Sequence, residues 1–212
     1  VAGGANFPRE PRWETEKVWH AGVYVLVNRE DGYAWHTAEP LPAPLAYGAA
    51  VSTPLGVLCM GGNDATTTYD SVFLLQWEPA SQTVARTAYP SLPKPCASGC
   101  ATLVGDKVYL AGGLEGAALD TAMTNFWMLD LARRETPGFA WDELPPWPGP
   151  VRAFNITATQ HDGYHDGIYV ISGRRQGAAG FEFLKDTWEY IPALGEWRER
   201  ADAPRCVMAG TG

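Results

Sequence analysis

The sequence predicts an all-β chain made of repeated antiparallel sheets, and three observations carry that. A glycine pair returns after short apolar runs, at Gly3-Gly4, Gly61-Gly62 and Gly112-Gly113, with Ser172-Gly173 as a variant. Before each complete repeat lie two short apolar strands around a tight turn; after it comes a variable loop. Composition agrees, since 23 glycines, 17 prolines and 9 tryptophans imply many turns, short elements and aromatic packing.

The strand pairs lie in 47–62, 98–113 and 154–173. A third strand with alternating large residues follows, in 20–27, 70–77, 125–131 and 186–192. A shorter fourth strand carries Trp35, Trp141 and Trp197, whereas the stretch 83–93 has no tryptophan. Four strands repeating every 50–60 residues or so is the kelch β-propeller pattern. One such sheet cannot bury both faces alone, so neighbouring blades must pack face to face. Trp35, Trp141 and Trp197 are therefore expected in equivalent outer-strand positions, buried between blades. The glycines are expected near the crowded axis, where a side chain would obstruct the backbone. They are architecture and not a phosphate cradle, because GGLEG (112–116) lacks the strand-to-helix setting of a nucleotide loop.

The chain reads as a single propeller domain over 1–212. It comprises a part-blade at 1–42, blades at about 46–93, 96–145 and 150–204, and the start of another at 205–212. Six blades of about 50 residues need roughly 300, which leaves two arrangements open. Either these are blades of a larger ring, or a strained four-blade ring closes by joining its two ends. The first predicts accessible apolar residues in HAGVYVLV (20–27) and VMAG (207–210), and self-association through exposed blade faces.

A net charge of −8 argues against nucleic acid as a partner, and no apolar run reaches the roughly 18 residues of a membrane helix. Cys59, Cys96, Cys100 and Cys206 form no C-x-x-C and read as free, buried or half-buried thiols. No metal and no organic cofactor is indicated. His161 and His165, four apart, sit in the turn between strands one and two, at the mouth opposite the glycines.

Propeller geometry brings the residues before strand one and after strand two to the same mouth. That places Asn6, Tyr47, Asn63, Arg152, Arg174 and Arg205 on one rim, with Asp64, Glu115 and Arg175 beside them. Several arginines there suit a small carboxylated ligand, because the guanidinium fork pairs bidentately with carboxylate. The competing reading is that Arg152 and Arg205 tie a blade to a neighbouring loop.

At VAGGANFP, KVWHAGVYVL, LAYGAAVS and ELPPWPGPVRAFN the chain resembles the cyclically permuted mutarotases, six-bladed kelch proteins related to N-acetylneuraminate epimerase. The resemblance runs through nearly the whole chain, with residues 1–93 matching late blades of the unpermuted form and those from about 97 its early ones. It implies interconversion of sialic acid anomers, a small anionic sugar as substrate, no cofactor and a periplasmic location. The rim arginines would then meet the substrate carboxylate. Ring opening needs a base for the anomeric hydroxyl and an acid for the ring oxygen. The resemblance puts these on a Gly-Glu-x-x-Pro-Gly-x-Arg stretch, which does not occur in these 212 residues. Leu45 also stands where the unpermuted relatives carry arginine. No catalytic residue is therefore assigned, and the alternative function is a non-catalytic kelch module that binds a protein or glycan.

Overall fold

The computed structural model describes residues 1–9 and 14–208. Its strands are β1 (Ala5–Asn6), β2 (Val18–Trp19), β3 (Val23–Arg29), β4 (Gly32–Ala38), β5 (Ala49–Thr53) and β6 (Gly56–Met60). They continue as β7 (Val72–Glu78), β8 (Thr83–Tyr89), β9 (Cys100–Val104), β10 (Lys107–Ala111), β11 (Phe126–Asp130) and β12 (Asp142–Glu143). The last are β13 (Ile156–His161), β14 (Asp166–Ile171), β15 (Arg174–Gly177), β16 (Gly180–Phe183), β17 (Thr187–Ile191) and β18 (Glu196–Arg200). Three four-stranded antiparallel sheets result, β5-β6-β7-β8, β9-β10-β11-β12 and β13-β14-β17-β18. Hairpin β3-β4 makes a smaller sheet before them, with Ala2 bridging to Val23. The chain is all-β, as its sequence predicts.

Strand β10 shows how the sheets are joined. Its residues alternate between two cores, because successive side chains leave opposite faces. Val108 and Leu110 pack with Leu58, Met60 and Leu74 of the preceding sheet. Tyr109 and Ala111 pack with Ile168, Val170 and Tyr190 of the following one. Burial on both faces is why 107–111 reads as an almost unbroken apolar run. Each such aliphatic side chain contributes roughly 1.5–3 kcal/mol.

The glycine pairs fasten one sheet to the next. The second glycine's N–H donates to a carbonyl just ahead of the following sheet, from Gly4 to Leu45 at 2.7 Å and from Gly62 to Cys96 at 2.8 Å. Gly113 does the same to Arg152 at 2.9 Å, and the Gly173 N–H donates to the Val207 carbonyl at 3.1 Å. The first glycine must let that carbonyl in. At Gly61, with φ of 59°, a Cβ would stand 2.0 Å from the Cys96 oxygen. Crowding therefore comes from the next sheet's backbone. Ser172 accepts the same turn at φ 57° by bonding its way through it. Its hydroxyl accepts from the Val207 N–H at 2.8 Å and donates to the Leu184 carbonyl at 2.7 Å.

The tryptophans divide. The Trp141 indole N–H donates to Pro90 O at 2.9 Å and Trp197 to Pro145 O at 2.8 Å, each reaching back to the preceding sheet's exit. Trp141 is buried and Trp197 half-buried, edge-on to Phe126 and tilted against Tyr190. Burial of Trp35 is a correction: it lies opposite Leu26 on β4 and is 63% exposed. Among the described residues no sheet covers that side of the β3-β4 hairpin. Tyr24 (44%) and Leu26 (49%) share the exposed face, and Met208 of the VMAG segment is exposed as well. Ala209 and Gly210 lie outside the described residues. All four cysteines are free, with Cys96 and Cys100 buried. Burial pushes the Cys96 thiol up to about 12, so it behaves as an apolar side chain.

Candidate functional site

The first strands β5, β9 and β13 run side by side, and the residues leading into them form a ladder. Ser98 N–H donates to Tyr47 O, and Phe154 N–H to Ser98 O, both at 2.7 Å. Tyr47, Ser98 and Phe154 all hold positive φ, between 57° and 59°. Such a conformation costs a non-glycine residue about 1–3 kcal/mol and persists only where surroundings impose it. Here the ladder imposes it, and turns Tyr47 and Phe154 onto the rim.

At the Phe154 end stands Arg174, the first residue of β15 and the backbone partner of Ala153. Its guanidinium lies 4.5 Å from the Phe154 ring centroid and 5.6 Å from that of Phe181. It has no ion-pair partner among the described residues, and its Nε is out of solvent without a hydrogen bond. Arg175 beside it is taken by Glu182 at 2.6 Å.

At the Tyr47 end the β1-β2 hairpin closes in. Ala5 pairs with Trp19 and Asn6 with Val18, so Phe7, Lys17 and Trp19 share one face. That face looks at Tyr47. The Lys17 ammonium donates to the Tyr47 hydroxyl at 2.7 Å and sits 5.4, 5.5 and 4.9 Å from the Phe7, Trp19 and Tyr47 rings. The Trp19 indole is held by Asn63 Oδ1 at 3.4 Å. Asn63 and Tyr47 are thus brought together.

Arg152 is corrected as a contact, and Asn6 and Arg205 stand apart from Tyr47 and Arg174. Asn6 is on the opposite face of the hairpin, bonded to His20 Nε2 at 2.8 Å, because alternation turns it away when Phe7 faces Tyr47. Arg152 has no exposed side-chain surface. It bonds Asp186 at 2.5 Å and Ser172 O at 3.0 Å and lies over the Trp147 ring. Burial pulls its pKa down while Asp186 pushes it back up, so the guanidinium is spent inside the fold. Arg205 is not its counterpart. Val207 takes that place by bonding Gly173, and Arg205, exposed, falls where Lys94 stands in the earlier sheet. Lys94 pairs with Glu115 at 3.4 Å, with both side chains exposed.

Asp64 is also consumed locally. It accepts from the Tyr69 hydroxyl at 2.5 Å and from the Thr66 and Thr67 N–H groups, which hold its carboxyl at about 2. His161 accepts from the Gly163 N–H at 3.0 Å within its own turn. No cluster of potential metal ligands occurs among the described residues. Phe7, Lys17 and Trp19 were not singled out from sequence. Reading ANFP and KVWH as two strands of one hairpin, with alternate positions on one face, is the signal that finds them.

No family model matches the chain. Its fold is similar to that of a solved structure of YjhT, with a TM-score of 0.65 at 15% identity, over 89% of this chain and 62% of that one. At that identity the likeness shows the fold. In sequence the chain is similar to an N-acetylneuraminate epimerase of Yersinia pestis (strain Pestoides F), 37% identical over 91 residues. One of Brucella suis (strain ATCC 23445 / NCTC 10510) is 39% identical over 89 residues. Each match covers 37% of this chain and 22% of the relative's length. The chain is thus similar to N-acetylneuraminate epimerases over about a third of its own length, and each match spans less than a quarter of theirs.

Proposed function

We propose that the chain belongs to a kelch-type β-propeller that, in the intact protein, interconverts the anomers of N-acetylneuraminate, in the manner of the cyclically permuted mutarotases. In this reading the described sheets are blades of a larger ring, and the protein acts in the periplasm without a cofactor. The observation that carries the proposal from the geometry is Arg174. It is an unpaired guanidinium on the rim, oriented by two aromatic rings, in a chain of net charge −8. No acidic side chain among the described residues neutralises this half-buried guanidinium, and an anionic ligand would do so. The planar fork suits a carboxylate, which every sialic acid carries on its anomeric carbon. In this reading Tyr47 and Asn63 line the same rim.

The relatives' names support the substrate class, and their acid–base chemistry would open the sugar ring and close it on either face. Proton NMR of freshly dissolved N-acetylneuraminate with the intact protein tests this directly. Anomeric signals should reach equilibrium faster than in buffer alone, and an unchanged rate overturns the mutarotase reading. The second reading is a non-catalytic kelch module that binds a glycan. Saturable binding without accelerated anomer exchange would support it.

A further inference from the structure

We propose that Lys17, framed by Phe7, Trp19 and Tyr47, is the second pole of the same ligand site, and that the site selects long sugar acids over short ones. The inference rests on the reading of Arg174 as the carboxylate partner. Both poles have the same construction, a cation without an acidic partner among the described residues, set against aromatic rings. They stand at opposite ends of the Tyr47–Ser98–Phe154 ladder. Two steps of about 4.8 Å make that ladder roughly 10 Å long.

The chemistry of the two poles differs. Arginine offers a planar fork for a carboxylate, whereas lysine offers three separate donors on a point charge. One Lys17 donor goes to the Tyr47 hydroxyl, which leaves two for sugar hydroxyls or an amide carbonyl. The rings supply flat apolar surface for sugar C–H groups, the usual partnership of apolar lining and a few placed polar groups. The cage is held before any ligand arrives. Asn63 fixes Trp19, and the ladder fixes Tyr47 in its uncommon backbone conformation. A six-carbon sugar acid bound at Arg174 ends short of Lys17. A nine-carbon acid with a hydroxylated tail reaches it.

Calorimetric titration with N-acetylneuraminate and with glucuronate separates the possibilities. The protein should bind N-acetylneuraminate more tightly than glucuronate. Lys17→Met should weaken N-acetylneuraminate about tenfold, the loss of one charge-assisted hydrogen bond, and leave glucuronate unchanged. Lys17→Arg should recover part of that loss, and Arg174→Met should weaken both acids alike. If the parent protein discriminates and Lys17→Met keeps the same ratio, Lys17 is structural; this inference falls while the proposed function stands. Equal weakening of both acids by Lys17→Met would make Lys17 a carboxylate partner and remove the length selection. Binding of neither acid by the parent protein overturns both proposals. Circular dichroism melts confirm that each variant is folded; should Lys17→Met fail to fold, Trp19→Tyr takes its place with the same expected loss of discrimination.

Discussion

The sheet β9-β10-β11-β12 and the hairpin β3-β4 are built from the same kind of sequence, yet they sit in opposite environments. Both have alternating large residues in the third strand and a tryptophan at the outer edge. The middle sheet is covered on both faces, and Trp141 is 8% exposed. The hairpin is covered on one, through Val23, Ala38 and the His36–Trp77 ring contact, and Trp35 is 63% exposed. A repeat thus specifies which residues point outward from a sheet. Whether they are buried depends on a neighbour the repeat itself does not contain.

The largest expected effect breaks this comparison at its tryptophans. Trp141→Ala should cost about 3–5 kcal/mol of stability, the range for truncating a buried aromatic. Trp35→Ala should change stability by less than about 0.5 kcal/mol, as at other exposed positions. Urea denaturation of the two variants measures both; equal losses would mean that something covers Trp35 in solution. The next effect compares two arginines. Arg152→Met should cost about 3–5 kcal/mol, because it leaves Asp186 and the Ser172 carbonyl without their partner. Arg205→Met should fall within about 0.5 kcal/mol, since its side chain is exposed.

The smallest effect is local and depends on pH. Asp64 has a carboxyl lowered to about 2 by the Tyr69 hydroxyl first and by two backbone N–H groups next. A lowered pKa means the ionised form holds the loop. Its contribution is complete above the ordinary value of about 3.9 and is lost as pH falls through about 2. The Thr66 and Thr67 amide resonances should shift with a midpoint near 2; a midpoint near 4 would show that these bonds do not form in solution.

The rim was legible in part. Tyr47 and Arg174 could be placed because position relative to the glycine pair decides which end of a strand a residue occupies. Arg152 and Arg174 illustrate what position leaves open. Both adjoin the same backbone bridge region, yet one guanidinium turns into the fold toward Asp186 and the other lies on Phe154. Asp186 is thirty-odd residues further along, so no local pattern announces that pair. Arg205 and Arg152 both precede an apolar run, and that likeness alone makes them look equivalent in sequence. The backbone bond to Gly173 settles the register two residues further on, at Val207.

The sequence by itself determined the all-β class, the strand pairs, the turns and the glycine positions. Those follow from short-range rules, namely alternation, turn chemistry and the room a backbone needs. Tertiary structure alone decided which charges remain free. Phe7, Lys17 and Trp19 meet Tyr47 because a hairpin folds across the neighbouring sheet's first turn, and Asn6 turns away by the same alternation. A side chain's availability to a ligand is set by what lies beside it in space, and at this rim those neighbours come from different repeats.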